Sequence, residues 1–369
     1  MSKTIVVLSS HTPSLFWFRT DMMREFLNRG YKVYALGNEE EEKWAAKFAD
    51  NGIMYQQIVV SRNGVNPLQD KKTLDSIKEK LRVIKPDKIF TYQAKTVIYG
   101  TMAANSLGIT EVYPLIAGMG SAFLSNGVKT RLIRFAMTTL YRKALKRCPV
   151  VFFQNHDDEQ IFRKYGIIKK QKVVLIHGSG VNIKRFNNLP LPDKPAFLCI
   201  SRLIRDKGVY EYLEACRRIK EKYPSIRCML IGPYDTNPSA LKPQEIKPFI
   251  DAGIEYFGEQ EGVRPFLEQC SVFVLPSYRE GTPKTNLEAM ACGRAVITTD
   301  APGCRETVID GENGFLVPVR DSEAVFKKME WFVVNPDKSK TMGSKGRIMV
   351  ERLFDVKKVN KVICETMGV

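Results

Sequence analysis

Short apolar runs alternate with amphipathic segments along the whole chain of 369 residues, and this alternation limits the fold more than any other feature. Runs of four to six apolar residues bounded by turn residues are typical of β-strands. We expect strands at about residues 4–8, 32–36, 55–60, 88–91, 112–116, 150–153 and 173–176, and at about 196–200, 227–231, 254–257, 272–275, 295–298 and 314–317. Such strands alternating with helices predict an α/β fold of doubly wound layers with parallel sheets.

Length and a polar break in mid-chain predict two domains. Apolar residues make up 44% of the chain, which is enough for two cores because a domain usually holds about 150 residues. Asn and Pro residues cluster at 187–192, so we place the boundary there, with residues 1–187 in the first domain and 188–353 in the second. Ligands of open α/β sheets bind beyond the carboxyl ends of the strands, which predicts a site in the cleft between two facing domains.

A turn at residues 281–284 follows an apolar run and precedes an amphipathic helix. Backbone N–H groups at the start of that helix are unpaired and carry the positive end of its dipole, which suits a diphosphate. Glu280 lies before the turn and Glu288 about one helical turn inside, so both carboxylates can flank one ligand. Because carboxylates repel phosphate, we expect Glu280 to accept hydrogen bonds from sugar hydroxyls and Glu288 from ribose hydroxyls.

The spacing of Glu280 and Glu288 resembles the motif of the family-4 retaining glycosyltransferases of the GT-B fold. In that family a Glu, seven further residues and a second Glu serve these two roles. The resemblance implies two Rossmann-like doubly wound domains that face a cleft, with residues 354–369 forming a C-terminal helix that crosses back to the first domain.

Two other segments are similar to the same family. Residues 201–208 follow an apolar run and resemble its phosphate-binding segment, which implies that Arg202 and Lys207 are the cations that act on the diphosphate. Residues 178–182 resemble its Gly-Val-Asp element at the join between the domains. This chain has Asn182 where Asp is usual, and Asn can cap a helix as Asp does but adds no charge.

The N-terminal half is similar to the subgroup that builds capsule, O-antigen and bacterial N-glycan saccharides on a polyprenyl diphosphate. The similar segments are residues 14–19 and 117–121, although the Gly-Gly pair and the His that the wider family often has in these loops are missing. The resemblance implies that the following residues bind the acceptor: Ser14, Arg19, Gly118, Met119, Gly120 and Ser121.

Positive charge is concentrated in the first half of the chain. Residues 1–185 contain 30 Lys and Arg and 15 Asp and Glu, a net charge of +15, whereas the rest carries +2. Between Glu111 and Asp157 no acid occurs, and apolar residues at helical spacing there predict a basic amphipathic helix. Anionic lipid, nucleic acid and plain solvent are all possible neighbours of such a face, and we favour anionic lipid. The residues expected to face the membrane are Lys129, Arg131, Arg134, Arg142, Lys143, Lys146 and Arg147.

The remaining composition gives no indication of a metal or a disulfide. The eight cysteines form no Cys-x-x-Cys pair, and several lie in apolar runs, so we expect buried free thiols in a reducing cytosol. The three histidines are scattered. Asp157 and Asp158 resemble a metal-binding pair, but a helix cap with an acidic first turn explains them better. We therefore predict no metal and no cofactor, and no apolar stretch long enough to span a bilayer.

Together these features predict a retaining hexosyltransferase that needs no metal. It is expected to transfer a sugar, such as an N-acetylhexosamine, from a UDP-sugar to a polyprenyl-diphosphate-linked saccharide, in the cytoplasm at the inner face of the cell membrane. Besides the catalytic residues Glu280, Arg202 and Lys207, the expected donor-binding residues are Gly281, Thr282, Pro283, Lys284, Thr285, Glu288, Phe257 and Gly258. Two alternatives remain: a UDP-sugar 2-epimerase of similar architecture, and a nucleic-acid-binding protein, although no recognised nucleic-acid module is present.

Overall fold

The computed structural model describes residues 2–61, 66–119, 123 and 127–369, without the side chain of Lys129. The chain forms two compact units. The first comprises residues 1–179 together with 356–369, and the second comprises residues 180–355. The division between them lies before the proline-containing segment at 187–192, and the C-terminal helix belongs to the first unit.

The described residues of the first unit contain a parallel sheet of seven strands. The strands are β1 (Thr4–Leu8), β2 (Lys32–Gly37), β3 (Met54–Gln57), β4 (Lys88–Tyr92), β5 (Val112–Ile116), β6 (Val150–Phe153) and β7 (Lys172–Leu175). Their order is β3-β2-β1-β4-β5-β6-β7, with Val6 of β1 opposite Tyr34 on one side and Ile89 on the other. The order reverses between β1 and β4, which makes their carboxyl ends the switch point at which such sheets bind ligands.

The second unit repeats this plan with a parallel sheet of six strands in its described residues. The strands are β8 (Ala196–Ile200), β9 (Arg227–Ile231), β10 (Glu255–Tyr256), β11 (Val272–Leu275), β12 (Ala295–Thr299) and β13 (Gly314–Val317). Their order is β10-β9-β8-β11-β12-β13, so the switch point lies between β8 and β11. Every predicted strand is present in the described residues, and the parallel α/β class is confirmed.

Helices connect the strands of both sheets. They are α1 (Thr12–Asn28), α2 (Glu41–Ala49), α3 (Pro67–Ile84), α4 (Thr101–Ser106), α5 (Val128–Leu145), α6 (His156–Lys164), α7 (Val209–Lys222), α8 (Pro243–Asp251), α9 (Arg264–Leu267), α10 (Lys284–Ala291), α11 (Ser322–Val334), α12 (Pro336–Met349) and α13 (Val356–Met367). Local sequence fixes several starts: Asn66 caps α3 by accepting hydrogen bonds from the backbone N–H groups of Leu68 and Gln69.

Alternate residues of β1 supply the two faces of the first sheet. Ile5 and Val7 pack into one apolar cluster, whereas Val6 and Leu8 pack into the other. Ile363 of α13 lies in the cluster that contains Ile5, so the C-terminal helix completes the core of the first unit. All eight cysteines are buried and free, as expected from the sequence. Over the described ranges, no helix is both long and apolar enough to span a membrane.

Candidate active site

The two loops expected to bind a diphosphate lie at one edge of the second sheet. Residues 201–208 follow β8 and residues 276–283 follow β11, and these strands are neighbours at the switch point. Because parallel strands end at the same edge, the sheet order places both loops where open α/β sheets bind ligands.

Lys207 and Glu280 form an ion pair between these loops. The Lys207 ammonium donates a hydrogen bond to Glu280, and both side chains are mostly buried, at 22% and 14% exposed. Gly208, with φ at 69°, lets the loops lie this close, because a Cβ at this residue would be 2.0 Å from the carbonyl oxygen of Pro276. The structure thus brings together two of the three residues predicted to act in catalysis.

Arg202 is held by a carboxylate that the sequence analysis missed. Its Nη1 lies 2.7 Å from Asp235 Oδ2, and Asp235 also accepts a hydrogen bond from the backbone N–H of Asn237. Gly232, with φ at 145°, precedes this loop, and a Cβ there would be 1.8 Å from the carbonyl oxygen of Ser201. The loop after β9 therefore positions the Arg202 side chain and supports its backbone.

Glu288 is a buried carboxylate in α10. Its residue is 9% exposed, and burial raises the pKa of its carboxyl to about 7, although the positive charges of Lys284 and Arg185 lower it in part. Among the described residues, none donates a hydrogen bond to this carboxylate. A half-ionised acceptor with open hydrogen-bonding capacity suits a ligand that carries neutral hydroxyls.

Lys284 and Asn182 join the start of α10 to the beginning of the second unit. The Lys284 ammonium donates a 2.6 Å hydrogen bond to the carbonyl oxygen of Gly180. Asn182 Oδ1 accepts hydrogen bonds from the backbone N–H groups of Lys184 and Arg185, at 3.2 and 3.1 Å. Asn182 thus makes the capping contacts expected of an Asp and places Arg185 near Glu288.

Gly303 shapes the turn before α10 and was also missed in the sequence. A Cβ at Gly303, where φ is 83°, would lie 2.2 Å from the carbonyl oxygen of Glu280. The backbone N–H of Glu280 donates to the carbonyl oxygen of Pro302, which holds the turn against the loop after β12. In the turn, the buried residues are Gly281 and Pro283, and the half-buried ones are Thr282, Lys284 and Thr285.

Phe257 and Gly258 follow β10 at the same edge of the sheet. Phe257 is half-buried, with its ring centroid 5.0 Å from that of Phe266. The carbonyl oxygen of Gly258 accepts a hydrogen bond from the backbone N–H of Gly232, which links this pair to the loop that supports Arg202. Their predicted contact with a nucleotide base stays a prediction.

The residues expected to bind the acceptor lie after β1 and β5 in the first unit. Ser14 Oγ is 3.0 Å from Tyr92 Oη and accepts a hydrogen bond from Gln93 Nε2. Gly118 has φ at 109°, and Met119 is buried in the core, so its side chain is unavailable to a ligand. Gly120 and Ser121 lie outside the described residues.

Arg19 is buried without a hydrogen-bonded anion. It is 2% exposed, its guanidinium lies 4.9 Å from the ring centroid of Tyr92, and its Nε and Nη1 atoms have no hydrogen-bond partner among the described residues. Burial lowers the pKa of Arg19 to about 10, so the side chain stays charged at neutral pH. Gln93, with φ at 72°, is a further polar residue at this edge that the sequence analysis missed.

The predicted basic helix is α5. Five of the seven residues expected to face a membrane are exposed: Arg131, Arg142, Lys143, Lys146 and Arg147. Arg134 is half-buried and donates a hydrogen bond to the Tyr165 hydroxyl, so it is less available than expected. Lys129 has no described side chain.

Asp157 and Asp158 belong to the first turn of α6. The cap of this helix is Asn155, whose Oδ1 accepts a hydrogen bond from the Asp158 N–H at 2.8 Å, so neither aspartate is itself the cap. Across the part of the chain that the structure describes, no three His, Cys, Asp or Glu residues are grouped as a metal site would require.

Comparison with known proteins identifies the class of enzyme. Residues 180–349 match the model of the glycosyl transferases group 1 family. The match spans most of the second unit, and the prediction that the protein is a glycosyltransferase is confirmed.

Similar proteins agree with this assignment. Over 337 residues the chain is 28% identical to the N,N'-diacetylbacillosaminyl-diphospho-undecaprenol alpha-1,3-N-acetylgalactosaminyltransferase of Campylobacter jejuni, and the match covers 87% of each chain. Sucrose-phosphate synthase of Thermosynechococcus elongatus has a TM-score of 0.81 at 18% identity, covering 99% of this chain and 98% of that one. The Anabaena protein HepE, crystallised with UDP and glucose, has a TM-score of 0.78 at 16% identity over 99% of each chain. The likeness to these structures confirms the predicted GT-B fold.

Proposed function

We propose that this enzyme transfers an N-acetylhexosamine, such as N-acetylgalactosamine, from a UDP-sugar to a polyprenyl-diphosphate-linked saccharide during the assembly of a bacterial surface polysaccharide or glycan. Transfer retains the anomeric configuration and needs no divalent cation. The observation that carries the proposal is the Lys207–Glu280 ion pair, which joins the loops after β8 and β11 at the switch point of the second sheet. Arg202 lies on the first of these loops, and Glu288 lies in the helix that follows the second. The Campylobacter jejuni relative, whose name specifies this sugar and this type of acceptor, supports the choice of substrates.

Donor binding replaces the hydrogen-bond partner of Lys207. Without donor, its ammonium is hydrogen-bonded to Glu280. The diphosphate carries more negative charge than one carboxylate, so Lys207 moves to it, beside Arg202 and the backbone N–H groups at the start of α10. Glu280 then accepts hydrogen bonds from the sugar hydroxyls in place of the one from Lys207.

Glu288 fixes the nucleoside end of the donor. Its carboxylate lies inside α10 with hydrogen-bonding capacity that ribose hydroxyls can fill. Hydrogen bonds from hydroxyls favour the ionised carboxylate, so donor binding lowers the raised pKa of Glu288 and releases a proton near neutral pH.

In the transfer step the bond between the sugar C1 and the diphosphate oxygen breaks. Negative charge develops on the leaving UDP, where Arg202, Lys207 and the positive end of α10 stabilise it in the role that a divalent cation fills elsewhere. The acceptor hydroxyl attacks C1 from the face that UDP leaves, and its proton passes to the leaving phosphate oxygen. The new bond therefore has the configuration of the old one.

The acceptor is assigned to the carboxyl edge of the first sheet, with Ser14, Arg19 and the backbone of Gly118 as its binding residues. The buried guanidinium of Arg19 has two nitrogens available for an anionic oxygen, as a diphosphate would supply. The acceptor lipid lies in the inner face of the cell membrane, and the excess of positive charge in the first half of the chain favours a peripheral position on that anionic surface.

A panel of radiolabelled UDP-sugars with membrane-extracted polyprenyl-linked acceptors tests the proposal. We expect label to enter the lipid fraction with a UDP-N-acetylhexosamine and the acceptor together, and not with either alone. Glu280→Gln serves as the inactive reference. A new UDP-sugar formed from UDP-N-acetylglucosamine without acceptor would instead identify an epimerase and refute transfer.

A further inference from the structure

One face of α5 is exposed along the whole helix. Its positions recur every three or four residues, which places them in one stripe. The apolar half of the stripe is strongly exposed, with Val128 at 77%, Leu132 at 67% and Phe135 at 71%. Thr139 and Arg142 continue it toward the C-terminus. Three large apolar side chains exposed side by side on one helix are typical of a surface that meets a membrane or a partner.

The other face of α5 fixes the orientation of this stripe. Tyr141 and Leu145 are buried in the core of the first unit, and Ala144 is also fully buried. Turning the helix to hide Leu132 and Phe135 would pull these residues out of the core. The apolar stripe is therefore a stable feature of the folded unit.

A basic cavity lies at the C-terminal end of the same helix. Its volume is about 600 Å³, and no acidic residue lines it. Its basic lining residues are Arg142, Lys146, Arg147, Lys169 and Lys170. None of these five side chains forms an ion pair with a described residue, so their charges are uncompensated. Such a concave group of cations attracts an anion.

Local hydrogen bonds shape this cavity. Arg142 donates to the backbone carbonyl oxygens of Tyr165 and Gly166, which holds its guanidinium at the rim. Gln171 Oε1 accepts from the backbone N–H groups of Lys169 and Lys170, at 2.8 and 3.2 Å. Its Nε2 donates to the carbonyl oxygen of Leu145 at 3.0 Å, so the Lys169-Lys170 segment is tied to the end of α5.

The cavity is separate from the reaction edge of the first sheet. Pro149 and Gln171, which line it, immediately precede β6 and β7, so the cavity lies at the amino ends of the strands. Acceptor-binding residues follow the carboxyl ends. The 18 residues of α5 span about 27 Å between the two edges, with the apolar end of the stripe toward the carboxyl edge.

We propose that this cavity binds the phosphate of an anionic phospholipid head group while Val128, Leu132 and Phe135 insert beside it into the bilayer. The inference rests on the membrane location in the proposed function and adds a defined lipid site to it. It also assigns Lys169 and Lys170, which lie outside the helix, to the membrane surface. With the apolar end of α5 inserted next to the carboxyl edge, a lipid-linked acceptor reaches its binding residues along the membrane.

Co-sedimentation of the full chain with vesicles tests the site. Vesicles of phosphatidylcholine mixed with phosphatidylglycerol are compared with pure phosphatidylcholine at about 0.15 M salt. The parent should bind the anionic vesicles more tightly. Lys169→Glu/Lys170→Glu should lower the partition coefficient at least about tenfold, because each basic residue close to an anionic surface contributes measurably. Lys169→Gln/Lys170→Gln should give a smaller loss of vesicle binding. This milder variant keeps the test valid if the first variant misfolds.

Lys71→Glu/Lys72→Glu is the matched control. These exposed lysines of α3 lie in the same unit, and their reversal changes the net charge equally. The control should retain the parental partition coefficient within about twofold, since screening limits the reach of exposed charges. The proposed lipid site would be wrong if the Lys71/Lys72 and Lys169/Lys170 charge reversals lowered vesicle binding equally, or if the parent bound both kinds of vesicle equally well.

Apolar insertion is tested with Leu132→Ser/Phe135→Ser. High salt screens the attraction between the cations and the anionic lipids but leaves apolar contacts with the bilayer in place. At about 1 M salt the parent should therefore retain part of its vesicle binding, and this variant should retain none. All variants should keep the parental affinity for UDP.

If transfer to the lipid-linked acceptor succeeds while the cavity variants sediment like the parent, the lipid site is wrong and the proposed function stands. If the cavity variants lose binding while the parent transfers no sugar, only the proposed function fails.

Discussion

Replacing Glu288 by Gln should stabilise the second unit while it weakens nucleotide binding. Burial raises the pKa of this carboxyl from 4.5 to about 7. Below pH 4.5 the residue is neutral in both the folded and the unfolded chain. Between pH 4.5 and 7 it is ionised only when the chain unfolds, so the parent loses stability as the pH rises through this window, and above pH 7 the loss is complete.

The size of the effect follows from the pKa shift. Raising the pKa of this carboxyl from 4.5 to about 7 corresponds to about 3 kcal/mol, because each tenfold change in proton affinity is worth about 1.4 kcal/mol. Gln has nearly the same shape and no charge, so Glu288→Gln should gain about 3 kcal/mol over the parent at pH 8 and about 1 kcal/mol at pH 5. For a unit of this size, the gain at pH 8 corresponds to an increase in Tm of roughly 6–12 °C.

Differential scanning calorimetry at both pH values measures this gain, using the transition that UDP shifts upward. In titration calorimetry, Glu288→Gln should bind UDP at least about tenfold more weakly, because hydrogen bonds to a charged acceptor contribute about 1.5–3 kcal/mol. Glu312→Gln removes an exposed carboxylate from the same unit and should change neither quantity. An equal gain in Tm at pH 5 and pH 8, or no gain at pH 8, would refute the reasoning.

Four further predictions concern the donor site. Glu280→Gln should slow transfer by roughly 2–4 kcal/mol of barrier while UDP still binds, and activity within threefold of the parent would exclude the assigned role. Arg202→Ala and Lys207→Ala should each weaken UDP binding in titration calorimetry, because each removes a cation from the diphosphate. Unchanged UDP affinity in both variants would exclude the proposed role of these two residues in binding the diphosphate. Transfer should continue in excess EDTA, and activity lost on chelation and restored by Mn²⁺ or Mg²⁺ would show that a metal is required. Gly303→Ala should reduce both UDP affinity and turnover, since its Cβ would meet the carbonyl oxygen of Glu280 at 2.2 Å, and parental kinetics would show that the turn adapts.

The fold was predictable because its determinants are local. Most strand cores are short apolar runs, and the sheet order follows from the doubly wound pattern that these runs imply. The strand ends were less predictable. The predicted strand at 55–60 ends at Gln57, because the Val59 N–H donates to the Ser76 hydroxyl instead of to a neighbouring strand. That contact depends on how α3 packs and leaves no pattern in the sequence.

The candidate site was predictable only in part. The resemblance pointed to Glu280 and Lys207, and sheet order explains why they meet. Asp235, Gly232 and Gly303 were missed because they act through β9 and β12, whose neighbours are known only once the sheet is assembled. A glycine directly after an apolar strand was the one available indication for Gly232, since such residues often allow close backbone approach.

The cations of the proposed donor site and those of the cavity at the end of α5 differ in their pairing. In the second unit Arg202 and Lys207 are each held by a carboxylate, so an incoming anion has to displace a partner. In the proposed mechanism, the hydroxyls of a UDP-sugar take the place of Lys207 at Glu280, whereas UDP alone withdraws Lys207 and offers no sugar hydroxyls in return. This mechanism therefore predicts that the ion pair favours the complete donor over its product. In the part of the chain that the structure describes, no carboxylate pairs with the cations of the cavity at the end of α5, and unpaired cations suit docking to a phosphate-bearing surface such as a membrane better than selection of a substrate.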